Sequence, residues 1–272
     1  MDLYPKVSLA CSKLLTKAYS TSFSLGIQTL SKRVHDPIYA IYGFVRLADE
    51  IVDTFHSHDK KMLFERFKKD TYLALEEKIS LNPILHCFQS VVHEFEIDKE
   101  YIEAFLYSME LDLTETIYDD SEYKKYIYGS AEVVGLMCLR VFCKGNPLHF
   151  DYLKADACAL GSAFQKINFL RDIRSDYEER GRVYFPGIDY LNFTEDQKKE
   201  IEADIQLDFD AGLRGVKNLP SNSQKGVRLA YEYYIRLFEK IKASSVDVIK
   251  NERVRVPDWE KFLIYFQLIL KK

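Results

Sequence analysis

The sequence predicts an all-α fold, and three observations support that prediction. The 272 residues include only 11 Gly and 7 Pro, fewer than an average globular chain of this length contains. Hydrophobic residues make up 47% of the chain and recur at helical spacing. No run alternates strictly between apolar and polar residues, as a half-buried strand would. No repeat or Gly/Ser linker divides the chain, so we predict a single domain over residues 1–272.

About ten helices are predicted, separated by residues that favour turns or stop helices. The breaks fall at Asn82-Pro83, Gly145-Asn146-Pro147, Gly181, Pro186-Gly187, Leu219-Pro220-Ser221 and Val256-Pro257. The helical segments run over residues 7–19, 35–55, 59–78, 82–95, 98–117, 121–143, 150–178, 195–214, 222–249 and 257–270. These segments predict a helical bundle.

The charge pattern and the cysteines indicate where the protein works. The net charge is −4, with basic and acidic residues interspersed, so we expect no nucleic-acid partner. The five cysteines are odd in number and lack CxxC spacing, which is typical of reduced core thiols. We therefore expect a cytoplasmic protein.

Membrane-spanning and nicotinamide-binding signatures are both missing from the sequence. The longest apolar run, Phe262 to Leu270, is interrupted by Gln267 and is too short to span a bilayer. It is typical of a helix packed on the core, and a helix docked on a membrane surface is the alternative. No GxGxxG motif follows a strand, so no Rossmann-type nicotinamide site is expected.

A narrow polar stripe crosses the predicted helix over residues 35–55. Its members are Tyr42, Arg46, Asp49 and Asp53. Their spacings of four, three and four put them on one face, with neighbouring Cβ atoms about 5–6 Å apart. A solvated face usually carries lysines and a wider polar arc, so this stripe favours a lined cavity. A surface ion pair between Arg46 and Asp49 is the alternative.

A second stripe of the same kind crosses the predicted helix over residues 150–178. Its members are Gln165, Asn168, Asp172 and Asp176. Carboxylate and amide oxygens are hard ligands, which suit Mg²⁺ or Mn²⁺ better than zinc. We expect the fold to bring the two aspartate pairs face to face across a cavity. The ligand would then be an anion bridged by metal, and a diphosphate is the natural candidate.

Four segments of the sequence resemble one known family. AIYGFVRLADEIVD at residues 40–53 and LGSAFQKINFLRDIRSDYEERGRVYFP at residues 160–186 closely resemble the two aspartate-rich motifs of the squalene and phytoene synthases. Those enzymes join two prenyl diphosphates head to head. YSTSFSLGI at residues 19–27 and YIYGSAEVVG at residues 126–135 are similar to two further segments of the family. The resemblance implies an isoprenoid synthase fold, a single-domain helical bundle around a central cavity with magnesium at its mouth.

The resemblance also implies roles for individual residues. The magnesium ligands would be Asp49, Asp53, Asn168, Asp172 and Asp176. The residues around the diphosphates would be Ser20, Thr21, Ser22, Tyr42, Arg46, Gln165 and Arg171. Tyr128 would be a catalytic cavity tyrosine near the reacting carbons, and Phe23 a further aromatic member of the cavity. Without the resemblance, the hydroxyl-rich residues 19–24 also suit a helix start with capping hydroxyls or a phosphorylation site.

Two positions depart from the family pattern. Glu132 stands where relatives commonly have glycine, and Val248 replaces a tyrosine that contacts diphosphate in some relatives. Both departures put the shape of the second substrate pocket in doubt, but they leave the metal site unchanged.

The function implied by the resemblance is the Mg²⁺-dependent conversion of two geranylgeranyl diphosphates to phytoene, without NADPH. The same reaction on the C15 substrate, giving presqualene diphosphate, dehydrosqualene or squalene, is the nearest alternative. A non-catalytic assembly partner is a different class, and the two intact aspartate motifs argue against it. We also expect peripheral association with the inner membrane face, where the lipid product would be released.

Overall fold

Thirteen α-helices and one π-helical turn form the computed structural model, which describes residues 2–114 and 116–270. The helices are α1 (Leu3–Tyr19), α2 (Thr21–Thr29), α3 (Lys32–Asp53), α4 (Lys60–Glu77), α5 (Pro83–Glu94), α6 (Lys99–Thr114), α7 (Asp120–Ile127), α8 (Val133–Phe142), α9 (Pro147–Arg180), α10 (Glu195–Asn218), α11 (Gln224–Ala243), α12 (Val246–Asn251) and α13 (Asp258–Leu270). The π-turn is Tyr128–Glu132. Within the described residues the only β-type pairing is an isolated bridge, so the all-α prediction is confirmed.

Several helix ends follow from the breaker residues in the sequence. Asn82 and Asn146 accept hydrogen bonds from backbone N–H groups in the first turns of α5 and α9, and a proline follows each of them. Gly181 ends α9 with φ 67°, a left-handed conformation that glycine adopts without steric cost. Caps therefore fix the length of α9, the helix that carries one aspartate pair.

The structure differs from the predicted helices in three places. Residues 21–29 form the unpredicted helix α2, which begins because the Ser20 hydroxyl accepts a hydrogen bond from the Phe23 N–H. The predicted helix over residues 222–249 is two helices, because Ser244 is extended and Ser245 caps α12. The π-turn interrupts the predicted helix over residues 121–143.

Two hydrophobic clusters form the core, and α9 contributes to both of them. Phe150 and Leu153, near its start, belong to the cluster built mainly from α3 to α6 and α8. Ile167 and Leu170, further along, belong to the cluster built mainly from α7 and α9 to α12. A cavity of about 790 Å³ is lined by members of both clusters. The helices therefore surround a central cavity.

Among the helices of residues 2–114 and 116–270, none is long and apolar enough to cross a membrane. The five cysteines are unpaired. Burial raises the pKa of the Cys138 thiol to about 12, so this thiol stays protonated at neutral pH. This agrees with the predicted reduced core thiols.

Candidate active site

The two aspartate pairs meet around one guanidinium group. Asp53 ends α3, Asp176 lies in the last turns of α9, and Arg180 lies one turn after Asp176. The Arg180 Nη1 donates to Asp176 Oδ1 at 3.1 Å, and its Nε lies 3.8 Å from Asp53 Oδ1. The two motifs therefore meet at Arg180, as the sequence predicts, but the four aspartates are not among the residues that line the central cavity.

Asp172 is held by two further arginines. Arg171 contacts it through Nε at 3.0 Å and Nη2 at 2.5 Å, and Arg253 contacts it at 2.7 and 3.2 Å. Burial alone would raise the pKa of Asp172, but the two guanidinium groups outweigh it and lower that pKa. Both arginines also line the central cavity, so Asp172 marks a cationic end of the cavity.

Arg46 has a free donor near the first pair. Its Nη2 donates to Glu50 Oε2 at 2.6 Å, while its Nη1 lies 3.8 Å from Asp49 Oδ2. Its guanidinium lies over the Tyr19 ring, 4.2 Å from the ring centroid. Its Nε is buried and has no hydrogen-bond partner among the described residues. The tight ion pair is therefore with Glu50, and the Nε is left as a donor for an anion.

Beyond its cationic end, the cavity is lined mainly by apolar and aromatic side chains. The Phe23 and Tyr42 rings stack with centroids 4.5 Å apart, and the Phe164 and Tyr234 rings stack at 3.9 Å. The Tyr234 hydroxyl donates to Asn168 Oδ1 at 3.3 Å, which fixes this amide beside the cavity wall. The arrangement can hold an apolar chain with an anionic group at one end.

Some predicted diphosphate contacts have less defined surroundings. Ser20 lines the cavity, and its hydroxyl is also the cap of α2. The side chains of Thr21 and Ser22 lie outside the described ones. Gln165 is half-buried on α9, one turn before Asn168. The roles predicted for these four side chains stay predictions.

Comparison with known proteins identifies the family. The model of the squalene/phytoene synthase family matches residues 16–260, which is most of the chain. The chain belongs to this family. It is a prenyltransferase of the phytoene synthase type, and its two aspartate motifs lie within the matched residues.

The chain is similar to several curated relatives along most of its length. The phytoene synthase of Arthrospira platensis is 26% identical and is matched over 92% of this chain and 88% of its own. The phytoene synthase of Rhodobacter capsulatus is 30% identical over 88% and 74%, respectively. The 4,4'-diapophytoene synthase of Staphylococcus haemolyticus is 24% identical over 95% and 94%.

A crystal structure of a dehydrosqualene synthase in complex with a ligand has a closely similar fold. It superposes with a TM-score of 0.82 at 19% sequence identity and covers 97% of this chain and 96% of its own. This structural similarity supports the predicted isoprenoid synthase fold.

The positive charge near Asp49 and Asp176 is too small to offset the effects of burial and of neighbouring carboxylates on their pKa values. Burial, with the nearby charges of Asp53 and Asp112, raises the pKa of Asp49 to about 7 against the opposing charge of Arg46. Burial and the neighbouring Asp172 raise the pKa of Asp176 to about 7, although Arg180 opposes this. A cation placed among these groups would lower both pKa values.

The fit of this site to magnesium rests on its donor atoms. Nowhere in residues 2–114 and 116–270 are three His, Cys, Asp or Glu side chains already grouped for a metal ion, because arginines lie between the carboxylates. The oxygens available are nonetheless hard ones, from four aspartates and Asn168. These oxygens and the raised pKa values of Asp49 and Asp176 fit the binding of divalent cations.

A third buried carboxylate, Asp112 of α6, lies beside these motifs. It accepts hydrogen bonds from the hydroxyls of Tyr126 at 2.8 Å, Tyr184 at 3.1 Å and Tyr118 at 3.4 Å. Arg182 reaches the Asp112 backbone carbonyl through Nη2 at 2.5 Å and lies 3.3 Å from Asp53 Oδ1. Sequence reasoning missed this cluster. One usable signal was an aspartate within the apolar run of α6.

Tyr128 does not occupy the predicted position. It is not among the residues that line the cavity, and burial followed by Glu100 and Tyr101 raises its pKa. Tyr126, two residues earlier, instead faces Asp112 and the aromatic cluster. Residues two apart on a helix point about 200° away from each other, so only one of the two tyrosines can face the carboxylates.

The two departures from the family pattern lie outside the cavity wall. Glu132 is half-buried and hydrogen-bonds Cys158, while its neighbour Ala131 lines the cavity. Val248 is 40% exposed on α12 and does not line the cavity. Neither side chain therefore shapes the described cavity directly.

Proposed function

We propose that this protein joins two geranylgeranyl diphosphates head to head to form phytoene, through a cyclopropylcarbinyl diphosphate, as a step of carotenoid biosynthesis. The observation that carries the head-to-head reaction is the pair of opposed aspartate motifs beside an apolar cavity. The choice of the C20 substrate is supported by the phytoene synthases of Arthrospira platensis and Rhodobacter capsulatus, which are similar to this chain over most of their lengths.

Magnesium, or manganese in its place, would be held by Asp49, Asp53, Asn168, Asp172 and Asp176. When bound, it would supply Lewis-acid neutralisation of the diphosphate leaving group. Arg46 and Arg171 would add hydrogen bonds to the same oxygens, because Arg46 has an unpaired buried donor and Arg171 lines the cavity. Ser20, Thr21, Ser22 and Gln165 would complete the diphosphate site.

The residues that line the apolar part of the cavity would protect the carbocation formed from the prenyl chains. The apolar wall excludes water from the carbocation that remains when diphosphate leaves. The stacked faces of Phe23 and Tyr42 can stabilise its positive charge. Loss of a proton then leaves a central double bond, so the reaction to phytoene needs no hydride donor. We accordingly propose that NADPH is not a cofactor.

The same reaction on farnesyl diphosphate is a second candidate, because two comparisons favour it. The 4,4'-diapophytoene synthase of Staphylococcus haemolyticus matches nearly the whole chain, and the structural neighbour is a dehydrosqualene synthase. A non-catalytic assembly role is disfavoured, because all four motif aspartates are present.

Product analysis distinguishes these functions. We expect the pure protein with Mg²⁺ to convert geranylgeranyl diphosphate to phytoene, and NADPH to change neither the rate nor the product mass. The measurement is mass spectrometry of the hydrocarbon from C15 and C20 substrates, each with and without NADPH. A product two hydrogens heavier only with NADPH indicates a reductive synthase, and conversion of the C15 substrate alone indicates the second candidate.

We also propose that the protein associates peripherally with the cytoplasmic face of the inner membrane through α13. One face of α13 packs on α11, where Arg236 and Lys240 pair with the buried Glu260. The opposite face exposes the only Trp of the chain and four more large apolar side chains: Trp259, Phe262, Leu263, Phe266 and Leu270. Asp258 and Lys261 of α13 also line the cavity, so lipids could pass directly between cavity and membrane.

A vesicle-binding assay tests this surface. Residues 252–272 contain five Lys or Arg and three Asp or Glu, in a chain of net charge −4, so we expect binding to vesicles that contain anionic lipid. Replacing Phe262 and Phe266 by serine should remove binding. Serine at Leu207, which is 69% exposed on α10, is the control and should leave binding intact. Equal binding by both variants would contradict the assignment.

A further inference from the structure

One face of α2 forms part of the cavity wall. Phe23, Gly26, Ile27 and the following Leu30 all line the cavity. Their spacings of three, one and three place them on a single helix face. A side chain at position 26 would therefore point into the cavity.

Gly26 differs from the other glycines that line the cavity. A Cβ added at Gly26 would meet no atom within 4 Å. A Cβ at any of the other lining glycines would meet a neighbouring atom at 3.3 Å or less: Gly135, Gly161, Gly212, Gly215 and Gly226. Those glycines permit close packing between helices, whereas Gly26 leaves open space.

No backbone requirement explains a glycine at position 26. Its φ is not in the left-handed region, and it lies inside α2. Glycine is the least favourable helix residue apart from proline. Glycine at this position leaves open, inside the cavity, the volume that a side chain would otherwise fill.

The depth of Gly26 places that volume beside the hydrocarbon chain. Arg46 and Tyr42 are one turn apart on α3, and Tyr42 stacks on Phe23. Gly26 follows Phe23 by about one turn of α2, roughly 5 Å further along that helix. Arg46 lies over the ring of Tyr19, which precedes α2, so Gly26 lies on the far side of the aromatic pair from the arginine that would bind diphosphate.

We propose that the missing side chain of Gly26 makes room for the far end of a C20 prenyl chain and so helps to set substrate length. The proposal rests on the proposed function, since it assumes that prenyl chains occupy this cavity. A bulky side chain at position 26 would shorten the space and favour C15 over C20. Gly26 would be a specificity residue with no part in ionising the diphosphate.

The test measures binding and does not depend on turnover. The probes are C15 and C20 prenyl thiodiphosphates, in which sulfur replaces the bridging oxygen and slows ionisation. Their affinities are measured with Mg²⁺ for the wild type and for Gly26→Ala, Gly26→Leu and Gly26→Phe. Gln28→Phe is the matched control, because it adds the same ring to an exposed position of α2 that does not line the cavity.

We expect Gly26→Phe to lower the C20 to C15 affinity ratio at least roughly tenfold, Gly26→Leu to lower it less, and Gln28→Phe to leave it unchanged. An unchanged ratio in Gly26→Phe, or an equal loss for both lengths, would overturn the proposal. If Gly26→Phe does not fold, a ratio that fails to fall from wild type to Gly26→Leu overturns it equally. Failure of the wild type to form phytoene would refute the proposed function instead, while the binding ratio still reports on Gly26.

Discussion

Replacing Asp49 or Asp172 by asparagine is expected to reduce turnover by at least about a thousandfold, because each change removes one charged ligand for the cations that neutralise diphosphate. Asparagine has nearly the same volume as aspartate, so the fold should remain. The measurement is the rate of hydrocarbon formation at saturating Mg²⁺. Near-wild-type rates in either variant would refute the metal-site assignment.

Matched controls separate the site from general effects of charge. Asp36→Asn changes an exposed aspartate at the other end of α3, and Asp151→Asn changes an exposed one on α9. Both variants should keep wild-type rates. A chelator should abolish activity in the wild type, and Mg²⁺ or Mn²⁺ should restore it. Rescue at a comparable rate by zinc alone would contradict the hard-ligand assignment.

The pH dependence of stability gives an independent signature of Asp49. Because its pKa is raised to about 7 in the fold, its charged form is disfavoured there, and stability is lost as pH rises through 7. Without metal, Asp49→Asn should therefore be at least as stable as the wild type at pH 8. The gain should shrink at pH 6, where Asp49 is mostly protonated. Thermal unfolding with a chelator at the two pH values measures this difference.

The aspartate stripes could be predicted because helical spacing is a local property. Residues four apart share a face in any α-helix, so the geometry within each pair needed no tertiary information. The breaker residues likewise predicted the start of α5, and they lie at the start of α9, which begins at Pro147, three residues before the predicted residue 150. Helix α2 was missed because it is nine residues long, contains Thr, Ser and Gly, and begins at a cap whose hydroxyl also suits other roles.

Other features depend on contacts that local sequence does not encode. Arg182 reaches Asp112 across 70 residues of sequence, and the bridge between Ile117 and Val183 holds the segments after α6 and α9 together. The choice between Tyr126 and Tyr128 depends on the phase of the helix at the π-turn. A small change in helix phase turns one residue away from the site and brings a different residue to face it.

The Asp112 cluster is expected to have the largest effect on stability. Asp112→Asn removes one of the two carboxylates beside the Arg182 guanidinium, at 3.4 Å, and leaves Asp53 at 3.3 Å. It also removes one of the two carboxylate oxygens that accept hydrogen bonds from Tyr126, Tyr184 and Tyr118. Burial raises the pKa of Asp112 to about 6, against the opposing charge of Arg182, so the pair is ionised at pH 8. Arg182 keeps Asp53 as a partner, so the cost at pH 8 is that of leaving a buried tyrosine hydroxyl without its acceptor, about 1–3 kcal/mol, and the melting temperature should fall by roughly 2–12 °C.

Two comparisons make the Asp112 prediction specific. Asp98→Asn breaks an ion pair with Arg140 in which Asp98 is 42% exposed, and it should cost less than about 1 kcal/mol. Arg182→Met combined with Asp112→Asn should be less destabilising than the sum of the single changes, because the two residues contact each other directly. Because the pKa of Asp112 is raised in the fold, the wild type gains stability as pH falls through 6 whereas Asp112→Asn does not, so the destabilisation by Asp112→Asn should increase below pH 6. Equal destabilisation by Asp112→Asn and Asp98→Asn at pH 8 would refute the role of Asp112 as the buried partner of Arg182.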